Sequence, residues 1–545
     1  MSTTPLQTEV AIVGGGIAGI TTALELLEEG GHDVLILDRE TRERFGGLAR
    51  WSFGGIFFVD TPQQCFLGID DSPELALRDW KSFAEFEEND TWPRRWAEQY
   101  VHRCTDEVYR WLREHGIHFF PVVHWVERGL YEPGNSVPRF HMVWGTGKEL
   151  TTTLIDHLRT HRNADRLTCR FRRHVTDLER SNGRISGVRG VDERSDEPFR
   201  VEAEHVVIAA GGICGDVERL KQHWYPDWGT PPETILNGSH RYADGDLHDE
   251  AETHGANVTH LDKQWLYAAG VEHPDGGRDK PYDALSVVPP KSALWVNHRG
   301  ERIGPPPLVS GFDTRDLVEQ IGRQEKQYSW QVMNWEIATT ELAISGSEYN
   351  EAMREKKPLS FLWRLLTGAD TMVEDLIDRC PDVVAADTFD GLVREMNRLS
   401  DDTVDGDLLR SEIERYDANI ERGSTYHNDD QLRRIAHLRQ YRGDRTRTCK
   451  EQPILDPDAT PLIAIREFIL SRKSLGGLQT DLDGRVLQPP ARDGAQDPIP
   501  GLYAVGEAAG FGGGGIHGLR SLEGTFLGTC ILGGRLTAQA IADGG

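Results

Sequence analysis

The chain is short of cysteine, of lysine and of long apolar runs, and each shortage bears on what the protein is. Its seven cysteines (65, 104, 169, 214, 380, 449 and 530) stand singly among 545 residues. No CxxC pair, CxxCH or His/Cys cluster at ligand spacing is present, which argues against structural zinc, c-type haem and cysteine-bound iron–sulfur clusters and predicts no metal site. An odd, dispersed set of thiols suits a reducing compartment rather than a disulfide framework. No stretch approaches 18 consecutive apolar residues, and Met1-Ser-Thr-Thr-Pro5 has no basic leader. Neither a spanning helix nor a signal peptide is expected, and a cytoplasmic location is the default. No G-x-S-x-G elbow and no internal repeat is evident. Lysine supplies 11 of the 61 basic residues, and arginine the rest.

The 88 acidic residues give a formal charge of −27. A field of that sign argues against nucleic acid or anionic membrane as the main partner. With 38% hydrophobic and 27% charged residues, the composition is that of a soluble globular protein, and the length exceeds one ordinary core.

The first structured segment carries the most information. Glu9-Val-Ala-Ile-Val13 is a short apolar run. Gly14-Gly15-Gly16-Ile17-Ala18-Gly19 follows, then an amphipathic stretch to Glu29, then Val34-Leu-Ile-Leu37 and Asp38. The order strand, glycine turn, helix, strand, acid is that of a dinucleotide-binding βαβ unit. Gly14 permits the tight turn, Gly16 lets backbone approach a pyrophosphate, and Gly19 lets helix and strand pack closely. The helix start offers free N–H groups, and Asp38 is placed to accept hydrogen bonds from a ribose.

Further glycine-rich motifs follow along the chain. Gly46-Gly-Leu-Ala-Arg-Trp-Ser-Phe-Gly-Gly-Ile56 is a second glycine-rich turn, Val206-Val-Ile-Ala-Ala-Gly-Gly212 a buried strand ending in glycines, and Gly501-Leu-Tyr-Ala-Val-Gly-Glu507 a third segment. With Asn135-Ser-Val-Pro-Arg-Phe-His141, Gly145-Thr-Gly147 and Gly510-Phe-Gly-Gly-Gly-Gly-Ile-His-Gly518, these resemble the flavoprotein subunits of fumarate reductase and succinate dehydrogenase and the 3-ketosteroid Δ1-dehydrogenases. The resemblance is nearest to a set of actinobacterial FAD-binding dehydrogenases and covers nearly the whole chain. It implies an α/β fold with a Rossmann-like, discontinuous FAD-binding domain (1–290 and 450–545) and an inserted α+β capping domain (291–449) over the substrate.

The resemblance also implies cofactor contacts. They fall on Gly14, Gly16, Ile17, Ala18, Gly19, Asp38 and Arg39, on Gly46, Gly47, Leu48, Ser52, Gly54 and Gly55, on Val175 near the adenine, and on Ala210, Gly211 and Gly212. Tyr242-Ala-Asp-Gly-Asp246 matches a segment beside the cofactor. Near the C-terminus, Gly506 and Glu507 meet the ribityl chain, and the helix beginning at Gly524, Thr525 and Phe526 points its positive end at the flavin. The covalent flavin attachment of the membrane-bound relatives uses a histidine where this chain has Leu48, so non-covalent FAD is expected.

For the chemistry, the resemblance implies hydride exchange with the flavin and proton transfer on the other face of a carbon–carbon bond next to a carbonyl or carboxylate. Arg315, in Phe312-Asp-Thr-Arg-Asp316, matches the arginine acid of the fumarate reductases. Arg472, Lys473 and Arg520 are candidates to hold a carboxylate or polarise a carbonyl, with Ser521 at the family's arginine position. Tyr267, His517 and His141 are further candidates. The expected partners are a small-molecule enone, ketone or carboxylate and an external electron acceptor or donor. An amine or amino-acid oxidase and a non-catalytic flavin redox sensor are the alternatives.

Overall fold

The structure, a computed structural model, describes residues 5–277, 280, 282–401 and 403–544. Two eight-stranded sheets organise it. In the first, Leu6–Val13 lies in parallel between Val34–Asp38 and Glu197–Ile208; Leu167–Phe171 and Pro498–Ala504 extend the parallel set on either side. The central strands read as unbroken apolar runs because both their faces are covered. Helices Ile17–Glu29 and Thr525–Ala542 pack on each other across one face. Their approach is close: a Cβ on Gly534 would stand 2.8 Å from the carbonyl oxygen of Ala18.

The second sheet runs Leu294–Val296, Tyr328–Asn334, Leu462–Ser474, Gln264–Glu272, Ala284–Val288 and Ala343–Ile344, over its own buried core. It therefore draws strands from both sides of the 291–449 segment. The reason is hydrogen bonding: Tyr328–Asn334 pairs in register with Leu462–Ser474, from Tyr328 opposite Phe468 to Asn334 opposite Leu462, and without it would be a buried, unpaired edge. The segment 393–440 forms surface helices, among them Gly406–Glu421 and Asp430–Leu438, each burying a stripe such as Leu409, Ile413, Leu432 and Ile435.

The 13-residue strand Leu462–Ser474 matters most for the site. Its middle is the core of the second sheet, and its last residues, Arg472 and Lys473, reach the first sheet's cleft. The Ser474 hydroxyl oxygen accepts from the Ile213 N–H at 2.7 Å and fixes that end. No described helix is long and apolar enough to cross a membrane.

Candidate active site

A cleft with a cavity volume of about 250 Å³ opens at the carboxyl ends of the parallel strands. Its floor is backbone. Gly14 takes φ +112°, and a Cβ there would strike the carbonyl of Ala209 at 2.2 Å. Gly16 differs: its φ is an ordinary −74°, and a Cβ would meet nothing within 4 Å, because it would project into the open cleft. The helix beginning at Ile17 has no side-chain cap and no acid in its first turn, so its N–H groups and positive dipole end are left for an anion. Helix Thr525–Ala542, capped only by the backbone of Gly524 at φ +98°, brings a second uncapped N-terminus to the same cleft. One elongated cleft thus has two positive ends.

Asp38 closes one end of the cleft. Buried, its carboxylate accepts from the Glu40 N–H at 2.7 Å, and burial pushes its pKa up to about 6. Arg39 lines the wall, paired with Glu193 (2.7 Å) and Asp244 (2.9 Å) and stacked 4.3 Å over the Tyr242 ring. At the other end Glu507 accepts from the Ser474 N–H at 2.9 Å, and burial raises its pKa to about 7. Lys473 sets its ammonium 3.9 Å from the Phe526 ring centre, and burial lowers its pKa to about 8 against the pull of Glu523.

The predicted cofactor positions separate by role. Gly14, Gly16, Ile17, Ala18, Asp38, Arg39, Gly47, Leu48, Ser52, Gly55, Val175, Ala210, Gly211, Gly212, Glu507, Gly524 and Phe526 all line the cleft. Gly19, Gly46, Gly54, Gly506 and Thr525 stand behind it. Gly19 backs onto the Gly14 carbonyl, Gly46 donates its N–H to the Gly15 carbonyl at 3.1 Å, and Gly54 abuts the Gly147 N–H. Gly506 packs on Ala18, and the Thr525 hydroxyl donates to the Leu522 carbonyl at 2.8 Å. A bare backbone cradle with two uncapped helix starts, and with a carboxylate at each end, fits a dinucleotide with a pyrophosphate in its middle.

A second cavity, of about 600 Å³, meets this cleft. The two share Phe53, Phe140, Tyr267, Ser345 and Glu523. The rest of the second wall is mainly apolar, with Phe120, Trp125, Met142, Val287, Leu317 and Phe361 among it. At the junction the Tyr267 hydroxyl donates to Glu523 Oε2 at 3.1 Å and the Trp265 indole N–H to the same oxygen at 3.0 Å. Burial, then the Glu523 charge, raises the Tyr267 pKa well above its ordinary value. The phenol therefore stays protonated. Arg472 lies 5.3 Å over the Tyr267 ring and donates to the Gly238 carbonyl.

The other catalytic candidates stand elsewhere. Arg315 is buried in helix Thr314–Gly322, its guanidinium 4.2 Å from both the Tyr225 and the Trp228 ring centres, outside both cavities. Arg520 is tied to Glu85 and to Asp313 (3.0 Å), the residue that caps that helix, and it too lines neither cavity. His517 and Ser521 both bond the Thr525 hydroxyl, at 2.8 and 2.9 Å, and the His517 ring stacks on Trp80 inside the core. Burial drives its pKa well down, so it stays neutral. His141 bridges Thr61 and the Arg139 carbonyl, fully buried. In each case a nearby carboxylate, ring or hydroxyl holds the side chain away from the cleft.

Glu523 was not among the sequence candidates. The only signal was its place directly before Gly524, inside a matched segment. Phe53 and Phe140 lie inside the matched 46–56 and 135–141 segments without having been singled out, and Ser345 gave no signal. His174, Asp244 and Asp246 gather within 4.8 Å at the Asp38 end of the cleft, but Asp244 is already paired with Arg39.

Comparison with known proteins agrees with this geometry. The chain is 41% identical to the KsdD-like steroid dehydrogenase of Mycobacterium tuberculosis, over 99% of this chain and 96% of that protein. Among solved structures, a flavocytochrome c3 fumarate reductase matches with TM-score 0.68 at 19% identity, over 99% of this chain and 79% of that one. The 3-ketosteroid-Δ4-(5α)-dehydrogenase of Rhodococcus jostii RHA1 matches with TM-score 0.64 at 20% identity, over 99% and 98%. The family described as FAD binding domain matches residues 9–527; the chain belongs to it, and FAD is its cofactor.

Proposed function

We propose that the protein is an FAD-dependent dehydrogenase acting on the carbon–carbon bond next to the ketone of a steroid-like enone. The observation that carries this is the apolar cavity that opens onto the cofactor cleft at Tyr267 and Glu523. Its walls suit a rigid hydrocarbon, and the 41% identical relative is a steroid dehydrogenase. Bound in the cleft, FAD would supply the hydride acceptor for the oxidation.

The chain's own residues handle the proton and the charge. Tyr267 and Trp265 both bond Glu523 Oε2, which turns Oε1 free among the described residues. Glu523 Oε1 takes the proton from the carbon beside the ketone, and Tyr267, held neutral, orients the carboxylate and stays a hydrogen-bond donor. Lys473 and Arg472 supply positive charge at the cofactor end, where negative charge builds. The proton role expected of Arg315 passes in this reading to Glu523 with Tyr267. The Rossmann-like half holds FAD, and the second sheet with its helices serves as the cap that keeps water from the junction. With no CxxCH and no iron–sulfur cysteine pattern in the sequence, an acceptor bound from outside is the outlet this reading gives the electrons.

Anaerobic addition of a 4-ene-3-one steroid to the oxidised holoenzyme tests the reading. Loss of the flavin's visible absorbance is expected. Bleaching by amino acids with peroxide release in air, and none by the steroid, would instead make it an amino-acid oxidase.

A further inference from the structure

The apolar cavity has a rim unlike the rest of the molecular surface. Helix Pro358–Thr367 stands there with two different faces. Phe361 points inward, lines the cavity and packs edge-on against Phe120, their ring centres 5.0 Å apart. Leu359, Leu362 and Trp363, at the i, i+3 and i+4 spacing of the opposite face, are 81, 51 and 69% exposed. Seven large hydrophobic side chains are exposed among the described residues, and no other element holds more than one of them. A cluster of that kind marks a surface that meets something apolar.

The rim is also locally cationic, in a chain whose net charge is −27. The short helix Arg442–Arg445 stands beside the first, because both lean on strand Phe119–His124. Phe361 meets Phe120, a Cβ on Gly443 would stand 3.2 Å from Val122 Cγ1, and the Tyr441 hydroxyl donates to the Val123 carbonyl. Phe120 and Val122 share one face of that strand and both line the cavity, so the two helices rim one opening. Arg442 and Arg445 are exposed, and neither forms an ion pair with a described residue. Asp444, between them in sequence, pairs inward with Arg128 and feels the charge of Lys291. The lysines beside the apolar helix are already matched, Lys148 with Glu355 (3.4 Å), Lys356 with Glu149 (2.7 Å) and Lys357 with Glu351 (2.8 Å), so the two arginines are the rim's available charge.

We infer that this rim docks on a lipid bilayer, with Leu359, Leu362 and Trp363 among the acyl chains and Arg442 and Arg445 at the level of the headgroup phosphates. Apolar residues inserted beneath a cationic border are the make-up of a helix that lies in the plane of a membrane interface. The acidic remainder of the chain is no obstacle at physiological salt, where fields fade over about 8 Å and only charges near the contact count. A second copy of the chain fits this face worse, since a two-fold contact would bring the same arginines together. An apolar substrate dissolved in the bilayer then passes into the chamber behind Phe361 without crossing water. The docking rests on the rim itself; only this passage rests on the function proposed above.

Flotation of the holoenzyme with phosphatidylcholine vesicles containing about one-third phosphatidylglycerol, at physiological salt, tests the docking without turnover, so a failed enone bleaching leaves its result standing. The protein is expected to rise with the vesicles. Leu359→Ser combined with Leu362→Ser and Trp363→Ser should cut the partition coefficient at least about tenfold. Flavin content should not change, because none of the three lines either cavity. Arg442→Gln with Arg445→Gln should weaken binding about five- to tenfold on these vesicles, and less on pure phosphatidylcholine. Should the triple variant lose its flavin, Leu359→Glu alone, at the most exposed of the three positions, carries the same comparison. A holoenzyme that stays below the vesicles, or a triple variant that floats as well as the wild-type protein, overturns the inference. So does a dimer formed without vesicles and abolished in the triple variant, which would give the face to a second copy.

Discussion

The two cavities recognise their ligands by different means. The cofactor cleft is made largely of backbone: glycine turns, strand ends and two uncapped helix starts, with a few charged side chains at its ends. The apolar cavity is made of side chains contributed by segments from Phe53 to Glu523, and hardly any of its wall is set by local chain geometry. Backbone recognition binds a fixed, charged cofactor and leaves little room for substitution. Side-chain recognition leaves the same fold open to many substrates. Glu523 and Tyr267, shared by both cavities, are where the two kinds of surface meet.

The largest effect should follow from filling the backbone cradle. Gly16 has ordinary dihedrals and open space beyond its Cα, so Gly16→Val should fold while its side chain fills the space proposed for the pyrophosphate. FAD retention is expected to fall by more than about 100-fold, the scale of losing several charge-assisted hydrogen bonds. Flavin absorbance after gel filtration measures it, and a flavin-replete variant would show that the cradle holds something else. Next comes the junction. Glu523→Gln keeps the shape and removes the base, and kcat should drop by about 10²–10⁴-fold with FAD content unchanged. An unaffected kcat would return the proton to another group.

These two predictions also mark how far the sequence could be read. Gly14, Gly16, Gly19 and Asp38 were legible because a βαβ turn places its glycines and its acid by local geometry, at fixed spacing. Arg472 and Lys473 were candidates through resemblance, and both line the cleft. Glu523 was not, because its role depends on Tyr267 and Trp265, about 256 residues away, bonding one of its oxygens. The make-up of the second sheet was not legible for a similar reason. Strands 264–272 and 462–474 carry no mark that assigns them to one sheet or the other; their pairing partners decide it. Arg520 and Arg315 were read as functional cations, yet each has a nearer partner in space that sequence order conceals.

A smaller effect tests the charge at the cofactor end. Lys473→Met removes an ammonium with no ion pair among the described residues, and the flavin's two-electron potential should fall by about 30–60 mV, a 10- to 100-fold change in equilibrium. The pH dependence has a definite sign. With its pKa lowered from 10.5 to about 8, Lys473 is charged below pH 8 in the fold and loses its proton there first, while the unfolded chain keeps it to about 10.5. Between those values the unfolded state binds more protons, so the FAD-free protein should gain stability from pH 8 to 10.5 through this group. Lys473→Met should flatten that part of a Tm-against-pH profile.

The smallest effect on activity belongs to Arg315→Ala. Its guanidinium lies against Tyr225 and Trp228 and lines neither cavity. Truncation removes two cation–π contacts in a desolvated setting, so about 1–3 kcal/mol of stability should be lost. Turnover per bound flavin should stay within about threefold. A proton donor would lose the same contacts and stop turnover as well, so turnover per bound flavin is the readout that decides. A folded, flavin-loaded but inactive Arg315→Ala would therefore put the proton path through the cap helix and leave Glu523 as a positioning residue. A destabilised but active variant fixes the boundary between the two regions at the Tyr267–Glu523 pair: chemistry on the cavity side, packing on the Arg315 side.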